Sequence, residues 1–136
     1  MKGTYLLVIE LNKDLRIDIG KLGSIEFKSG FYIYVGSALN GLEQRIHRHL
    51  RKQKKLHWHI DYLLQPARII DIFYKEGSVK EECDIARILS RQFSSIPGFG
   101  CSDCNCKTHL FYGFKKEILS SIEKLQMRHY PINANH

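Results

Sequence analysis

Two apolar segments rich in aromatic and β-branched residues constrain the fold of this chain more than any other feature. Residues 5–11 and residues 31–35 each predict a strong β-strand, because such side chains favour the pleated, half-buried surface of a sheet. Between them, residues 16–19 and 24–27 alternate polar and apolar side chains, as the arms of a hairpin do. These two segments are therefore expected to be short strands or the arms of a hairpin.

The rest of the chain alternates between helical and strand patterns. Residues 39–52 predict an amphipathic helix, because apolar residues recur there at three- and four-residue steps. These apolar positions are Leu39, Leu42, Ile46 and Leu50. Further predicted elements are helices over 58–64, 80–93 and 115–127 and strands over 68–74 and 109–114. With 136 residues, the pattern predicts one α/β (α+β) domain over residues 1–127 and a loose C-terminal tail over 128–136.

The charge of the chain is positive and concentrated. There are 21 Lys and Arg against 14 Asp and Glu, giving a net charge of +7 and a pI of about 9.3. Much of the surplus falls within eleven positions, at Arg45, Arg48, Arg51, Lys52, Lys54 and Lys55. Such a concentration favours a nucleic-acid partner, although a basic face that only keeps the protein in solution is the alternative.

No feature of the chain predicts a membrane partner. No apolar run approaches the ~20 residues of a membrane-spanning helix, and no signal peptide is visible at the start. We therefore expect a cytoplasmic protein, in which the four cysteines are reduced or bound to metal rather than paired in disulfides.

Side chains suited to phosphodiester hydrolysis lie on the predicted elements. Tyr5 and Tyr34 are on the two strongest strands, and strand pairing would bring them close together. Arg45 and His49 are four residues apart, which places them on one helical face, and Glu82 stands near the start of a later helix. A phenol or imidazole can transfer protons, arginine can bind phosphate, and one carboxylate can hold Mg²⁺. Packing aromatics, a solvated basic face and a helix-dipole carboxylate are the alternatives.

These candidate residues belong to a set of short motifs that follow one another in a fixed order along the chain. The set is Gly3-Thr4-Tyr5, Tyr34-Val35-Gly36 within residues 30–38, residues 45–49, residues 57–63 and residues 98–104. It resembles the GIY-YIG nuclease superfamily, and is most similar to its small uncharacterised stand-alone family of archaea and bacteria. Members of that family are sometimes fused to endonuclease III-type glycosylases. The resemblance covers about residues 3–114.

The resemblance implies a small mixed, mainly antiparallel sheet flanked by helices and an endonuclease that uses one Mg²⁺ or Mn²⁺ ion. In that mechanism Tyr5 is the general base, and Tyr34 assists it or orients water. Arg45 stabilises the transition state and His49 matches a histidine one turn later. Glu82 matches the metal ligand, although the adjacent Glu81 is an open alternative.

The two tyrosine motifs are separated by a longer stretch than in the excision-repair and homing members of the superfamily, which implies an elaborated hairpin over residues 12–29. Two further departures from the family pattern concern single residues. Ser37 stands where a lysine often follows the second motif, and no partner is found for an asparagine that some members carry. For contact with nucleic acid, the predicted residues are Arg48, Arg51, Lys52, Lys54, Lys55 and His59. Asp61 is expected to have a structural role instead, as part of a helix cap and hydrogen-bond network.

A second cluster of candidate ligands lies in the Gly- and Cys-rich segment 97–107 and just after it. Three thiols and an imidazole suit a structural Zn²⁺, and these residues are Cys101, Cys104, Cys106 and His109. Their spacing is unusual, and Cys83 is a candidate distant ligand. Reduced, partly buried thiols are the alternative.

Three functions follow as expectations. The first is an endonuclease acting on DNA rather than RNA, on branched or damaged structures in repair. The second is a non-catalytic nucleic-acid-binding module of the same fold, motivated by the two departures. The third is an interaction protein that serves a DNA repair glycosylase.

Overall fold

A computed structural model describes residues 1–77, 81–100 and 106–132 of the chain. The strands, in chain order, are β1 (Gly3–Leu11), β2 (Leu15–Asp18), β3 (Ser24–Phe27), β4 (Gly30–Ala38), β5 (Arg68–Glu76), β6 (Ser94–Ser95), β7 (Leu110–Gly113) and β8 (Arg128–His129). The α-helices are α1 (Leu42–Leu50), α2 (His59–Leu63), α3 (Glu81–Ser90) and α4 (Lys115–Lys124). This is an α+β fold, as the sequence predicted.

The two strongest strands lie side by side at the centre of one six-stranded sheet. Its strand order is β6-β7-β4-β1-β5-β8. Each described pair of neighbours is antiparallel, so the expected sheet is present but is not mixed in strand direction. The expected hairpin is also present, because β2 and β3 form a separate two-stranded sheet joined by the short 3₁₀ helix Gly20–Leu22.

Both faces of the central sheet are buried, which explains why β1 and β4 have long apolar runs instead of an alternating pattern. On one face, Leu7 and Ile9 of β1 pack with residues of α1, α2 and the hairpin. On the other face, Leu6 and Val8 pack with residues of α3 and α4. Because successive strand residues point to opposite faces, Tyr5 lies on the face that α1 covers.

Several element boundaries differ from the sequence-based prediction. Helix α1 begins three residues later than predicted, because Gly41 has a left-handed backbone with φ of 67° and precedes the first helical residue. Leu39, which fitted the helical periodicity, is 68% exposed and lies outside the helix. Helix α4 ends early because Gln126 adopts a φ of 56°. Strand β5 extends two residues further than predicted, to Glu76.

The end of the described chain is ordered against the sheet, contrary to the predicted loose tail. Strand β8 pairs with β5 through Phe73 and Tyr74. Tyr130 then packs against Tyr74 with ring centroids 5.9 Å apart, and its hydroxyl lies 2.9 Å from Nε2 of His47 on α1. For residues 128–130 the local composition carries no sign of these contacts, because they join residues far apart in the sequence. Residues 133–136 of the predicted tail lie outside the described residues.

Candidate active site

The pairing of β1 with β4 places the two motif tyrosines on one face of the sheet. Tyr5 is opposite Gly36 in the register, and Tyr34 is opposite Leu7. The Tyr5 ring lies directly against Gly36, where an added Cβ would be 2.4 Å from Cζ of Tyr5. Only glycine leaves room for the ring at this position. The ring centroids of Tyr5 and Tyr34 are 6.5 Å apart.

Helix α1 brings His49 to the two tyrosines. The hydroxyl oxygen of Tyr5 lies 2.6 Å from Nε2 of His49, and the His49 ring centroid is 6.3 Å from that of Tyr34. Tyr5 is 1% exposed and His49 is 3% exposed. Nδ1 of His49 has no hydrogen-bond partner in the described part of the chain. The Tyr5 hydroxyl is therefore the group that fixes the position of this imidazole.

Burial keeps this pair neutral. Burial and, after it, the nearby positive charge of Lys54 together lower the pKa of His49 from its ordinary 6.5 to about 3. Burial likewise raises the pKa of Tyr5 above its ordinary value, against the opposing charge of Arg45. At neutral pH the imidazole is thus an unprotonated base in contact with a protonated phenol.

Arg45 supplies the positive charge of the site. Its Nη1 donates a hydrogen bond to the carbonyl of Ser37 at 3.1 Å, and its guanidinium carbon lies 4.4 Å from the ring centroid of Trp58. Arg48 approaches the same ring at 4.4 Å. The Trp58 ring therefore positions two arginines by cation–π contact. The sequence did not reveal this stacking role, because the role depends on how the segment that carries Trp58 folds back onto α1.

Glu82 reaches the site from α3. Its Oε1 lies 2.8 Å from Nδ1 of His109, and its negative charge raises the pKa of both Tyr5 and Tyr34 after the larger effect of burial. The neighbouring Glu81 lies 3.9 Å from the Lys75 ammonium instead. Of the two glutamates, Glu82 is therefore the one that acts electrostatically on the tyrosines.

One carboxylate of this kind fits a single Mg²⁺ or Mn²⁺ ion. The Glu82 side chain is 18% exposed, so water can share the coordination shell. Mg²⁺ usually keeps several of its waters and needs only one or two protein carboxylates. The donor set thus suits a hard divalent cation bound mainly by water and by the phosphate of a substrate.

Most of the basic residues predicted to bind nucleic acid have partners inside the protein. Arg48 forms a two-pronged ion pair with Asp61, at 2.8 and 2.9 Å. Lys52 donates hydrogen bonds to the carbonyls of residues 64 and 67, and Lys54 to those of residues 48 and 49. Burial lowers the pKa of Lys54 to about 8. These three cations hold α1 to the following segment.

Arg51 and Lys55 are different. Both are exposed, and neither side chain makes a hydrogen bond or ion pair within the described residues. Among the residues predicted to contact nucleic acid, these two therefore have the charges that are most available to a phosphate group. Their contact with phosphate stays a prediction.

Asp61 has the structural role predicted for it. It is fully buried, and its Oδ2 accepts hydrogen bonds from the backbone N–H groups of His57 and Trp58. Burial alone would raise its pKa, but these bonds and the Arg48 guanidinium hold the pKa below its ordinary value. Asp61 therefore caps α2 and ties it to α1.

His59 contacts the loop after β6. Its Nδ1 accepts a hydrogen bond from the backbone N–H of Gly100 at 2.9 Å, and its ring packs on Phe99 with centroids 5.6 Å apart. Burial lowers its pKa. Gly100 adopts a φ of 77°, which favours glycine at this turn. His59 thus fastens the loop after β6, and a contact with nucleic acid stays a prediction.

The predicted zinc ligands fall partly outside the described residues, which do not include Cys101 and Cys104. The other two, Cys106 and His109, lie near Cys83 of α3, and one ligand atom from each of the three lies within 4.8 Å of the other two. Cys83 was named in the sequence only as a distant candidate, because 23 positions separate it from Cys106.

Comparison with known proteins gives a family but no activity. A family model described as "Domain of unknown function DUF123" matches residues 4–130. No curated protein and no solved structure matches the chain. Within the described residues, no helix has both the length and the apolar character needed to cross a membrane.

Proposed function

We propose that this chain, which belongs to that family of unknown function, is a metal-dependent endonuclease of the GIY-YIG type that hydrolyses phosphodiester bonds in DNA. The observation that carries the proposal is the contact of Tyr5 with His49, with the charges of Arg45 and Glu82 acting on the same phenol. These groups come from β1, α1 and α3, and their types match what phosphodiester hydrolysis requires.

In this proposal Tyr5 and His49 form a proton relay. A water molecule gives a proton to the Tyr5 oxygen while the Tyr5 hydroxyl proton passes to Nε2 of His49. The resulting hydroxide forms a bond to phosphorus as the bond to the leaving oxygen breaks, and that oxygen takes a proton from solvent. In this relay no free phenolate has to form from the phenol, whose pKa is raised. His49, whose pKa is lowered, gives its proton back to solvent after the attack, which restores the neutral pair.

Arg45 binds the phosphate that receives this attack. One of its five N–H donors is used by the Ser37 carbonyl, and Trp58 holds the guanidinium plane by contact with the ring. The remaining donors can bind phosphate oxygens, for which the planar fork of arginine is suited. A divalent cation held by Glu82 would neutralise charge on the phosphate and stabilise the leaving oxygen.

The proposed substrate is DNA rather than RNA, in branched or damaged structures, and the proposed setting is cytoplasmic. What supports a nucleic-acid substrate in general is the net charge of +7 and the exposed Arg51 and Lys55 just after α1. These positive charges attract the phosphates of a nucleic acid whatever its nucleotide sequence.

The test is cleavage of labelled single-stranded, duplex, flap and four-way-junction DNA with Mg²⁺, Mn²⁺ or EDTA. We expect cutting that EDTA abolishes and that falls about 100-fold or more in Glu82→Gln. Glu81→Gln is the matched control, because it makes the same change one residue away at a side chain that faces Lys75. Equal activity of the two variants would refute the role of Glu82.

A second candidate is a nucleic-acid-binding module without catalysis, accessory to a repair glycosylase. The observation in its favour is the burial of Tyr5 and His49, which leaves their hydrogen bond out of contact with bulk water. Binding of DNA that weakens steeply with salt, with no cutting of any of the four substrates, would support this candidate over the nuclease. Altered activity of a glycosylase on addition of the chain would support the accessory role.

A further inference from the structure

Two thiols and one imidazole from separate segments meet beside the candidate active site. Cys83 lies in α3, Cys106 lies at the start of the last described segment, and His109 immediately precedes β7. One ligand atom of each lies within 4.8 Å of the other two. His109 is 1% exposed, and the two cysteines are half-buried. The cluster is thus a convergence in three dimensions rather than a sequence motif.

The chemistry of these donors selects a soft or borderline cation. Thiolate and imidazole are the ligands of Zn²⁺ in proteins, whereas Mg²⁺ and Mn²⁺ prefer oxygen. A tetrahedral ion with Zn–S bonds of about 2.3 Å places its ligand atoms roughly 3.8 Å apart. The three donor atoms are at most 4.8 Å from one another, which is close enough for side-chain rotations to bring them around one ion.

The hydrogen bonds of His109 prepare its ring to bind a metal. Nδ1 lies 3.0 Å from the carbonyl oxygen of Val35 and 2.8 Å from Oε1 of Glu82. A backbone carbonyl can only accept, so Nδ1 carries the proton and the lone pair is on Nε2. A histidine that donates one ring N–H to a carbonyl or carboxylate is the usual partner arrangement at zinc sites.

An ion also has a path to the sulfur atoms. Cys83 and Cys106 line a surface cavity together with Ala86, Arg87 and Thr108. The cavity opens to solvent beside α3. The cluster therefore combines ligand type, spacing, a supported histidine and access, which are the requirements of a metal site.

We propose that Cys83, Cys106 and His109 bind one Zn²⁺ ion. The three residues leave one position of a tetrahedral ion for a further ligand. Binding fastens α3 to the segment before β7, and the His109–Glu82 contact then fixes the carboxylate that faces the tyrosines. The proposal does not rest on nuclease activity, because the metal content and its effect on the fold can be measured without a substrate.

The first test is elemental analysis of untagged protein purified without chelators. We expect about one zinc per chain in the wild type and in Glu82→Gln, and a loss of nearly all zinc in Cys83→Ser and His109→Ala. Zinc retained by Cys83→Ser but lost by Cys101→Ser and Cys104→Ser would overturn the proposal in favour of a site within the Cys-rich segment.

The second test uses the wild type alone, which guards against variants that fail to fold. Protein stripped of metal is titrated with Co²⁺ under reducing conditions. We expect thiolate-to-cobalt charge-transfer absorption that saturates at one equivalent and disappears when Zn²⁺ is added. Absence of this absorption, or a mass spectrum showing Cys83 or Cys106 in a disulfide in freshly purified protein, would refute the site.

Discussion

At the scale of single residues, the Tyr5 hydroxyl is the most informative atom in the molecule. Tyr5→Phe removes it and keeps the ring that fills the space against Gly36. If Tyr5 and His49 relay a proton, cleavage falls about 100-fold or more, while the free energy of unfolding falls by only about 1 kcal/mol for one lost hydrogen bond. Initial cleavage rates and urea denaturation measure the two effects.

Tyr32→Phe is the matched control for this prediction. Tyr32 is equally buried, and its hydroxyl donates to the carbonyl of Lys28, away from His49. The control should lose a similar amount of stability and no activity. An equal loss of cleavage in the two variants would assign the effect of Tyr5→Phe to packing instead of proton transfer.

His49 gives the molecule a pH-dependent stability. Its pKa is about 3 in the folded protein and near 6.5 in the unfolded chain, so the unfolded state binds the proton more strongly. The stabilising contribution is complete above about pH 6.5 and is lost as the pH falls from there towards 3. The slope approaches 1.4 kcal/mol per pH unit where only the unfolded state is protonated.

The prediction is tested by unfolding the wild type and His49→Gln at pH 7, 6, 5 and 4. We expect the wild type to lose about 2 kcal/mol more than the variant between pH 6 and pH 4. Asp61 is common to both proteins, and its depressed pKa places its own loss of stability at lower pH. If the free energies of unfolding of the wild type and of His49→Gln fell in parallel over this pH range, His49 would be protonated in the folded state as well, and the prediction would be wrong.

At the scale of elements, the basic residues of α1 and of the segment that follows it are divided between two tasks. Arg48, Lys52 and Lys54 bind Asp61 and backbone carbonyls, whereas Arg51 and Lys55 stay exposed. A count of charges in the sequence therefore overstates the charge available to a nucleic acid. The hydrogen bonds of Lys52 to the carbonyls of residues 64 and 67 form only because that later segment folds back towards α1. The spacing of residues along the sequence does not reveal this fold.

The division predicts a specific change in DNA affinity. Arg51→Glu with Lys55→Glu should weaken binding to duplex DNA, reduce the slope of log K against log salt by about 2, and leave the melting temperature nearly unchanged. Lys116→Glu with Lys124→Glu reverses the same number of charges on α4, which covers the opposite face of the sheet. An equal loss of affinity in this control would show that only the net charge matters.

Much of the candidate site was predictable because it lies on the strongest local patterns. Strand propensity located β1 and β4, their pairing brought Tyr5 and Tyr34 together, and helical spacing aligned Arg45 with His49. The stacking of Trp58 with Arg45 and the approach of Cys83 to Cys106 were not predictable in this way. Both depend on the relative placement of elements, which follows from packing of the whole core.

At the scale of the whole molecule, the last described residues close the side of the sheet that α1 covers. Tyr130 contacts Tyr74 of β5 and His47 of α1, so it links two elements that are distant in sequence. Tyr130→Ala should therefore reduce the free energy of unfolding by about 1–3 kcal/mol. A chain ending at Met127 should lose more, because the pairing of β8 with β5 is removed as well.

Arg128→Ala is the control for these two variants. Arg128 is exposed and contributes to β8 through its backbone, so its replacement should change stability by less than about 0.5 kcal/mol. Thermal and urea unfolding measure all three proteins. A shortened chain as stable as the wild type would mean that residues after Met127 add nothing to the folded state.

The two outermost strands of the central sheet, β6 and β8, are only two residues long. A sheet that ends in so short a row of peptide groups gives a neighbouring molecule little template on which to extend it. Two copies of this chain that joined edge to edge through β6 or β8 would therefore form few backbone hydrogen bonds. A strand from a neighbouring molecule would instead have to pair with the part of β5 beyond Phe73 and Tyr74, which β8 leaves uncovered within the described residues.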